Sequence, residues 1–240
     1  MKRVGDRYER ISWAQATREI GEELSAIRKA HGGRALGVYA GNPTFFNYKS
    51  FLFSEQLVTA LGTPNLFASH SIDCNNKFDV SQRMYGLPTI HPIVDLDRVK
   101  FLVILGGNPA ASQMSFMQVP NVMQRLKGIT KRGGRVVVID PRRNETAQQL
   151  GEHISIRPGT DAYLLLAMLA VVIEEKRFDR AHVERHMRGF DTLADAVSPF
   201  TPERASETTG IDADTIRALA RAYTDADGAA LYMSTGVNMG

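Results

Sequence analysis

The sequence has a single cysteine, Cys74, among its 240 residues. One cysteine excludes an internal disulfide, and it also excludes a cysteine-ligated iron–sulfur cluster or a four-cysteine zinc site built from this chain alone. Long apolar runs are scarce too: the longest, residues 162–173, covers 12 positions. A helix that crosses a bilayer needs about 20 apolar residues. We therefore expect no membrane span in this piece.

Charge of one sign is not concentrated anywhere in the chain. Lys and Arg number 29 against 26 Asp and Glu, and the longest basic clusters are pairs such as Lys131-Arg132 and Arg142-Arg143. A nucleic-acid-binding arm would show a basic block, so we expect no nucleic-acid partner. Residues 1–10 lack the apolar segment of a secretory signal. We expect a cytoplasmic location, with any export signal of the full protein upstream of residue 1.

What the sequence does contain is an alternation of strand and helix signals. Three short runs rich in β-branched residues, Lys100–Leu105, Arg135–Ile139 and His153–Ile156, predict buried strands of a parallel sheet. Asp161–Glu174 is apolar nearly all round and predicts a buried helix, and Ala229–Met233 predicts a last strand.

The alternation predicts an α/β fold with two Rossmann-like parallel-sheet subdomains and helices on both faces. The first comprises residues 1–70 and is completed by the strand at 229–240; its first helix begins at Ser12, with Trp13 in the core. The second, dinucleotide-binding subdomain spans 71–228, and residues 63–95 read as a long loop. Because the chain stops soon after a strand and a glycine turn, we expect it to be an internal piece of a longer protein.

Each of the three central strands is followed by residues that suit a nucleotide. These segments are Gly106-Gly107-Asn108-Pro109-Ala110-Ala111-Ser112, Asp140-Pro141-Arg142-Arg143 and Pro158-Gly159-Thr160-Asp161. They combine close backbone approach, hydrogen-bond donors, guanidinium groups for phosphate and two carboxylates. Ligands of open parallel sheets lie outside the carboxyl ends of the strands, so we expect the three segments to converge. The alternative is that they are ordinary turns and caps.

Asp161 stands at the start of a predicted helix. The helix dipole is expected to keep its carboxylate ionised, so that it can accept two N–H bonds from a guanine edge.

The first of these segments is not the dinucleotide fingerprint G-x-G-x-x-G. It lacks the second glycine, and Asp140 lies 34 residues after Gly106, instead of about 20. An NADP-type Rossmann domain stays open as an alternative because Arg142 and Arg143 suit a 2′-phosphate.

In this order, LGGNPAAS, VVVIDPRRNETAQQL and ISIRPGTDAYLLLAML resemble the molybdopterin oxidoreductase (dimethyl sulfoxide reductase) family. Its members carry molybdenum or tungsten on two molybdopterin guanine dinucleotides. The resemblance implies that the chain is a fragment of such an enzyme and binds the pterin dinucleotide for two-electron redox or oxygen-atom transfer on a small-molecule substrate. It implies an iron–sulfur cluster only in the missing upstream region. It also implies two partners, an electron-transfer subunit and the rest of the parent chain. A metal-free scaffold relative of the same fold is the alternative.

The resemblance also assigns residues to the cofactor. Those that hold the pyrophosphate and ribose of one dinucleotide are Gly107, Asn108, Pro109 and Ser112. Those around its ribose and guanine are Asp140 and Arg142, and the guanine edge pairs with Asp161, after Gly159. Gly236 belongs to a loop for the other dinucleotide.

The family often shows the motif N-x-D-x-N-A-R-x-C, whose last residue binds the metal. Counting from Asp73 places Asp79 at that position, which makes it the candidate catalytic residue and metal ligand. A carboxylate is a hard oxygen donor and suits high-valent molybdenum. Cys74 is the rival metal ligand, because thiolate is also a good donor. Each residue also has an explanation without a metal: Asp79 is then a solvated acid, and Cys74 is a small buried residue.

Overall fold

The structure is a computed structural model that describes residues 1–41, 43–44, 47–115 and 119–239. The chain divides into two compact units, Met1–Ser71 and Ile72–Gly240. The short helix α3 (His70–Asp73) spans this division in the sequence.

The first unit contains two pairs of short strands and two long helices. Its elements are β1 (Lys2–Val4), β2 (Arg7–Glu9), α1 (Trp13–His31), β3 (Val38–Ala40), α2 (Tyr48–Leu61) and β4 (Leu66–Ala68). Strands β1 and β2 form an antiparallel hairpin, whereas β3 and β4 are parallel. Ser12 Oγ accepts a hydrogen bond from Gln15 N at 3.1 Å, which confirms the predicted start of α1. The prediction that Trp13 lies in the core is wrong, since its side chain is 89% exposed.

The second unit contains one four-stranded sheet and its helices. Its elements are α4 (Asn75–Tyr85), β5 (Phe101–Leu105), α5 (Pro109–Ser112), α6 (Val122–Lys131), β6 (Arg135–Ile139), α7 (Glu145–Leu150), β7 (His153–Ile154), α8 (Asp161–Glu174), α9 (Arg180–His186), α10 (Phe190–Val197), α11 (Pro202–Thr209), α12 (Ala213–Asp225), β8 (Ala229–Met233) and α13 (Thr235–Asn238). Helix α4 lies inside the segment that the sequence predicts to be a loop.

The four strands are all parallel and stand in the order β7-β6-β5-β8. All five residues of β5 are buried, as expected for a central strand with helices on both faces. Its side chains alternate between two cores. Phe101, Val103 and Leu105 pack with α8, α11 and α12 on one face. Leu102 and Ile104 pack with α6 and α7 on the other.

This arrangement confirms the predicted α/β class, with parallel sheets and helices. One element of the predicted domain layout is wrong. The last strand does not complete the first unit, because Ala229–Met233 pairs with β5, and Lys100 N and Phe101 N donate to the Gly228 carbonyl at 2.8 and 3.1 Å. A buried central strand must satisfy its backbone groups on both sides. An apolar strand signal does not tell which sheet supplies its partner.

Within the described part of the chain, no helix combines the length and the apolar character needed to cross a membrane.

Candidate functional site

The strand order defines one particular crevice at the carboxyl edge of the sheet. From β5 the chain adds β6 and then β7 on one side, whereas β8 lies on the other side of β5. The crevice beyond the strand ends at such a reversal of order is the usual ligand site of an open parallel sheet. Here it lies between the ends of β5 and β8, where the turns that contain Gly106 and Gly236 follow the strands.

Glycines bring these two turns into direct contact. Gly236 N donates to the Gly106 carbonyl at 3.1 Å. A Cβ on Gly236 would lie 2.6 Å from that same oxygen, and a Cβ on Gly107 would lie 3.0 Å from the Ser234 side chain. Gly106 has φ +59°, which favours glycine. The structure therefore brings Gly107 and Gly236, both predicted site residues, to the same crevice.

Asn108 is held by the residues that follow β6. Its Oδ1 accepts from Thr146 N at 3.3 Å and from Thr146 Oγ1 at 2.8 Å, while its Nδ2 donates to Glu145 at 2.6 Å. Thr146 is buried, and its hydroxyl also accepts from Ala110 N at 2.9 Å. Pro109 is buried at the first position of α5, where a missing N–H costs nothing. The segments after β5 and β6 thus form one hydrogen-bonded surface.

The side chain of Asn144 also links the segments that follow β5 and β6. Its Nδ2 donates to the Gly107 carbonyl at 3.1 Å and to Asp140 Oδ2 at 3.0 Å, and its Oδ1 caps α7 by accepting from Ala147 N at 3.0 Å. Asn144 is only 1% exposed. The other oxygen of Asp140, Oδ1, accepts from Arg142 N at 2.9 Å, so both carboxylate oxygens have a fixed direction.

Arg142 and Glu145 form a solvent-exposed ion pair beside Asn108. The Arg142 guanidinium donates to both carboxylate oxygens of Glu145, at 3.3 and 3.1 Å. This pairing, together with the backbone N–H of Glu145 and the Asn108 amide, lowers the pKa of Glu145 to about 2. The hydroxyl of Ser112 is exposed and donates to the Asn108 carbonyl at 3.2 Å.

Asp161 lies near Asp140 at the start of α8. Burial raises the pKa of Asp161, and the charge of Asp140 raises it further, whereas its own backbone N–H lowers it. Desolvation therefore outweighs the backbone N–H in setting the pKa of Asp161, and the ionised state of this carboxylate stays a prediction. Gly159 has φ +74°, and a Cβ there would meet no atom of the described residues within 4 Å. The turn before Asp161 therefore has open space beside it.

The two metal-ligand candidates lie on different sides of α4. Asp79 is exposed and forms an ion pair with Arg83 at 2.8 Å. Lys77, two residues earlier and thus about 200° around the helix, donates to the Met233 carbonyl at the end of β8, at 3.1 Å. Cys74 is buried at the start of the helix, and its pKa is raised by desolvation and by Asp73. The structure thus brings Lys77 to the strand edge but does not bring Asp79 there.

A cavity of about 360 Å³ adjoins this face of α4 and the end of β8. Its walls are mainly apolar, with a few polar groups among them, as is typical of ligand pockets. Ser81 Oγ contacts His91 Nδ1 at 3.0 Å, and burial lowers the pKa of both His91 and Lys77. Asn238 Nδ2 is a buried donor without a hydrogen-bond partner among the described residues.

Three contributors to the site were missed by sequence reasoning: Asn144, Thr146 and Lys77. Asn144 carried a usable signal, because an Asn that precedes a helical segment is a preferred N-cap. The side-chain bonds of Thr146 and Lys77 join segments far apart in the chain, and a local pattern does not show them.

Comparison with known proteins places this geometry in a family. Residues 1–232 match the family model described as molybdopterin oxidoreductase. The chain is 29% identical to formate dehydrogenase H of Escherichia coli, over 97% of this chain and 32% of that protein. It is 30% identical to acetylene hydratase of Syntrophotalea acetylenica, over 99% of this chain and 31% of that protein.

A solved structure of an acetylene hydratase is also similar to this chain. The acetylene hydratase from Pelobacter acetylenicus superposes with a TM-score of 0.79 and 27% sequence identity, covering 97% of this chain and 31% of that chain. The chain thus spans about a third of the length of these relatives. The match over nearly the whole chain leaves no basis for an NADP-type Rossmann domain, and we conclude that the chain belongs to the molybdopterin oxidoreductase family.

Proposed function

We propose that this chain is part of a molybdenum- or tungsten-dependent oxidoreductase and that it binds one molybdopterin guanine dinucleotide at the carboxyl edge of the four-stranded sheet. The observation that carries the proposal is the buried amide of Asn144, which joins the Gly107 carbonyl to Asp140. It unites two of the three predicted nucleotide segments, and Asp161, in the third, lies close enough to Asp140 for that charge to raise its pKa.

The groups on this edge suit a pyrophosphate. The Asn108 amide and the Arg142 guanidinium direct donors to one place, where both now contact Glu145. Glycine at positions 106 and 107 lets the backbone after β5 pack closely against the segment after β8. Arginine and amide donors of this kind bind phosphate oxygens well. Gly107, Asn108, Pro109, Ser112 and Arg142 would hold this part of the ligand.

The other end of the edge suits a guanine. Asp161 is half-buried, and within the described residues no side chain donates a hydrogen bond to it. A guanine presents two adjacent N–H donors to a carboxylate, and such pairing would offset the cost of burying the charge. The open space beside Gly159 leaves room for a planar base. Asp140 would accept a hydrogen bond from the neighbouring ribose.

The bound cofactor would supply the two-electron redox or oxygen-atom transfer on a small substrate, while this chain orients it and excludes water. Gly236, on the β8 side of the crevice, would contact the other dinucleotide. The metal ligand is a prediction with two candidates, Asp79 and Cys74. An iron–sulfur cluster in the upstream region and an electron-transfer subunit belong to the same proposal.

The test uses the full-length protein that contains this chain. Asp161→Ala should lower the amount of GMP released per protein on acid hydrolysis, because the variant removes the charged acceptor for guanine. Asp191→Ala is the matched control, since Asp191 is an exposed acid in the first turn of another helix, α10. Unchanged GMP content in Asp161→Ala would overturn the guanine site.

Metal analysis of the same preparations separates the enzyme from the scaffold alternative. Molybdenum or tungsten near one atom per chain supports the enzyme. Dinucleotide without metal, or neither one, in a fully matured protein would support a metal-free scaffold instead.

A further inference from the structure

The carboxylate of Glu145 contacts the very donors that the proposed function assigns to a phosphate. Asn108 Nδ2 donates to Oε2 at 2.6 Å, and the Arg142 guanidinium donates to Oε1 and Oε2 at 3.3 and 3.1 Å. Carboxylate and phosphate oxygens are alternative acceptors for such donors. We propose that Glu145 is an internal anion that occupies the pyrophosphate subsite, and that a phosphate of the dinucleotide displaces it.

Glu145 is not needed to hold the Asn108 amide or the backbone at Arg142 in place. Asn108 is already fixed by the two bonds that its Oδ1 accepts from buried Thr146. The backbone N of Arg142 is fixed by Asp140 Oδ1 at 2.9 Å. The Asn108 amide and the backbone at Arg142 therefore keep their positions when Glu145 leaves, and the Arg142 guanidinium is released to pair with another anion.

The ion pair is also open to solvent, as an exchangeable contact must be. The side chains of Arg142 and Glu145 are 65% and 53% exposed. Exposed ion pairs are weak, and the dianionic pyrophosphate of a dinucleotide competes well for the same guanidinium. By contrast, the Asn144 bonds beneath the pair are buried and hold the two segments together.

This inference rests on the proposed function. Two variants of the ion pair test it. Glu145→Gln removes the competing charge but keeps the size of the side chain. It should bind inorganic pyrophosphate and GDP about two- to fivefold more tightly than wild type, the factor expected for one exposed ion pair. Arg142→Ala removes the binding donor and should weaken both ligands. A merely structural ion pair would move the two variants in the same direction.

The measurement is isothermal titration calorimetry on full-length protein purified from cells that do not make the cofactor. Guanosine, which lacks phosphate and is followed by NMR, should bind wild type and Glu145→Gln equally. The matched control is Glu152→Gln, because Glu152 pairs with Arg135 at the opposite end of β6. It should leave the affinity for pyrophosphate unchanged.

The outcomes distinguish failure of this inference from failure of the proposed function. Unchanged or weaker pyrophosphate binding by Glu145→Gln overturns the inference, while GMP loss in Asp161→Ala still supports the proposed function. Failure of every variant and the wild type to bind pyrophosphate and GDP overturns the inference together with the proposed pyrophosphate subsite. Opposite shifts in Glu145→Gln and Arg142→Ala, with guanosine unaffected, support it.

Discussion

Gly236 N donates a hydrogen bond to the Gly106 carbonyl at 3.1 Å, so the turn after β8 touches the turn after β5. The two strands are neighbours in the sheet but lie far apart in the sequence. A side chain on either glycine would meet backbone of the other turn at 3.0 Å or less. The crevice at the carboxyl edge therefore depends on both positions remaining glycine.

Gly236→Ala should destabilise the chain by about 1–3 kcal/mol, because its Cβ would lie 2.6 Å from the Gly106 oxygen and the packed turns must separate. Urea denaturation gives the free energy of unfolding. Gly21→Ala is the control, since Gly21 lies inside α1 with no atom within 4 Å of the added Cβ. That change should stabilise the helix by about 0.5–1 kcal/mol. Equal stability of Gly236→Ala and wild type would contradict the close contact.

Asn144→Ala should reduce the free energy of unfolding by about 2–4 kcal/mol. It removes an N-cap and leaves the buried Gly107 carbonyl and an Asp140 oxygen without their donor. Asn47→Ala removes an exposed N-cap of α2 and should cost only about 1 kcal/mol. A similar loss in both variants would show that Asn144 acts only as a cap.

Asp161→Asn should make the chain more stable at neutral pH while weakening guanine binding. The pKa of Asp161 is raised in the folded state, so this state holds the proton more tightly than the unfolded chain does. Stability is therefore lost as the pH rises from 3.8, the ordinary value, through the raised pKa. Well below 3.8 both states are protonated, and the variant should match wild type.

The check is the thermal unfolding midpoint across that pH range. The variant should match wild type well below pH 3.8, gain on it as the pH rises through the window, and show its full advantage above the window. Asp191→Asn, at the start of α10, serves as the reference substitution. A variant that is less stable than wild type at pH 7 would contradict the role of burial.

Cys74→Ala should lower the molybdenum or tungsten content of the full-length protein more than Asp79→Asn does. Cys74 is buried at the start of α4, one turn before Lys77, which contacts the end of β8. Asp79 is exposed and paired with Arg83. Elemental analysis gives the content, and Arg83→Ala controls for loss of the ion pair alone. Metal loss confined to Asp79→Asn would identify the carboxylate as the ligand.

Local signals in the sequence predicted most of the second unit. β-branched runs predicted β5 and β6 with nearly the observed bounds, because such strands are buried on both faces, and the apolar run Ala229–Met233 predicted β8. Asp161–Glu174 was predicted with its observed ends.

Side-chain burial was harder to predict than secondary structure. Trp13 follows a helical period, yet it is exposed, because a period shows which residues share a face and not what covers that face. Helix α4 was missed since its sequence is largely polar and starts at Cys74 without a side-chain cap.

The sequence by itself determined the α/β class, the parallel strands and the polar segments that follow them, because strand and turn preferences act over a few neighbouring residues. Only the tertiary structure decided that β8 pairs with β5, that Asn144 joins Gly107 to Asp140, and that Glu145 covers the proposed phosphate donors. These relationships arise from backbone pairing and buried hydrogen bonds between distant segments, and such contacts exist only after the chain has packed.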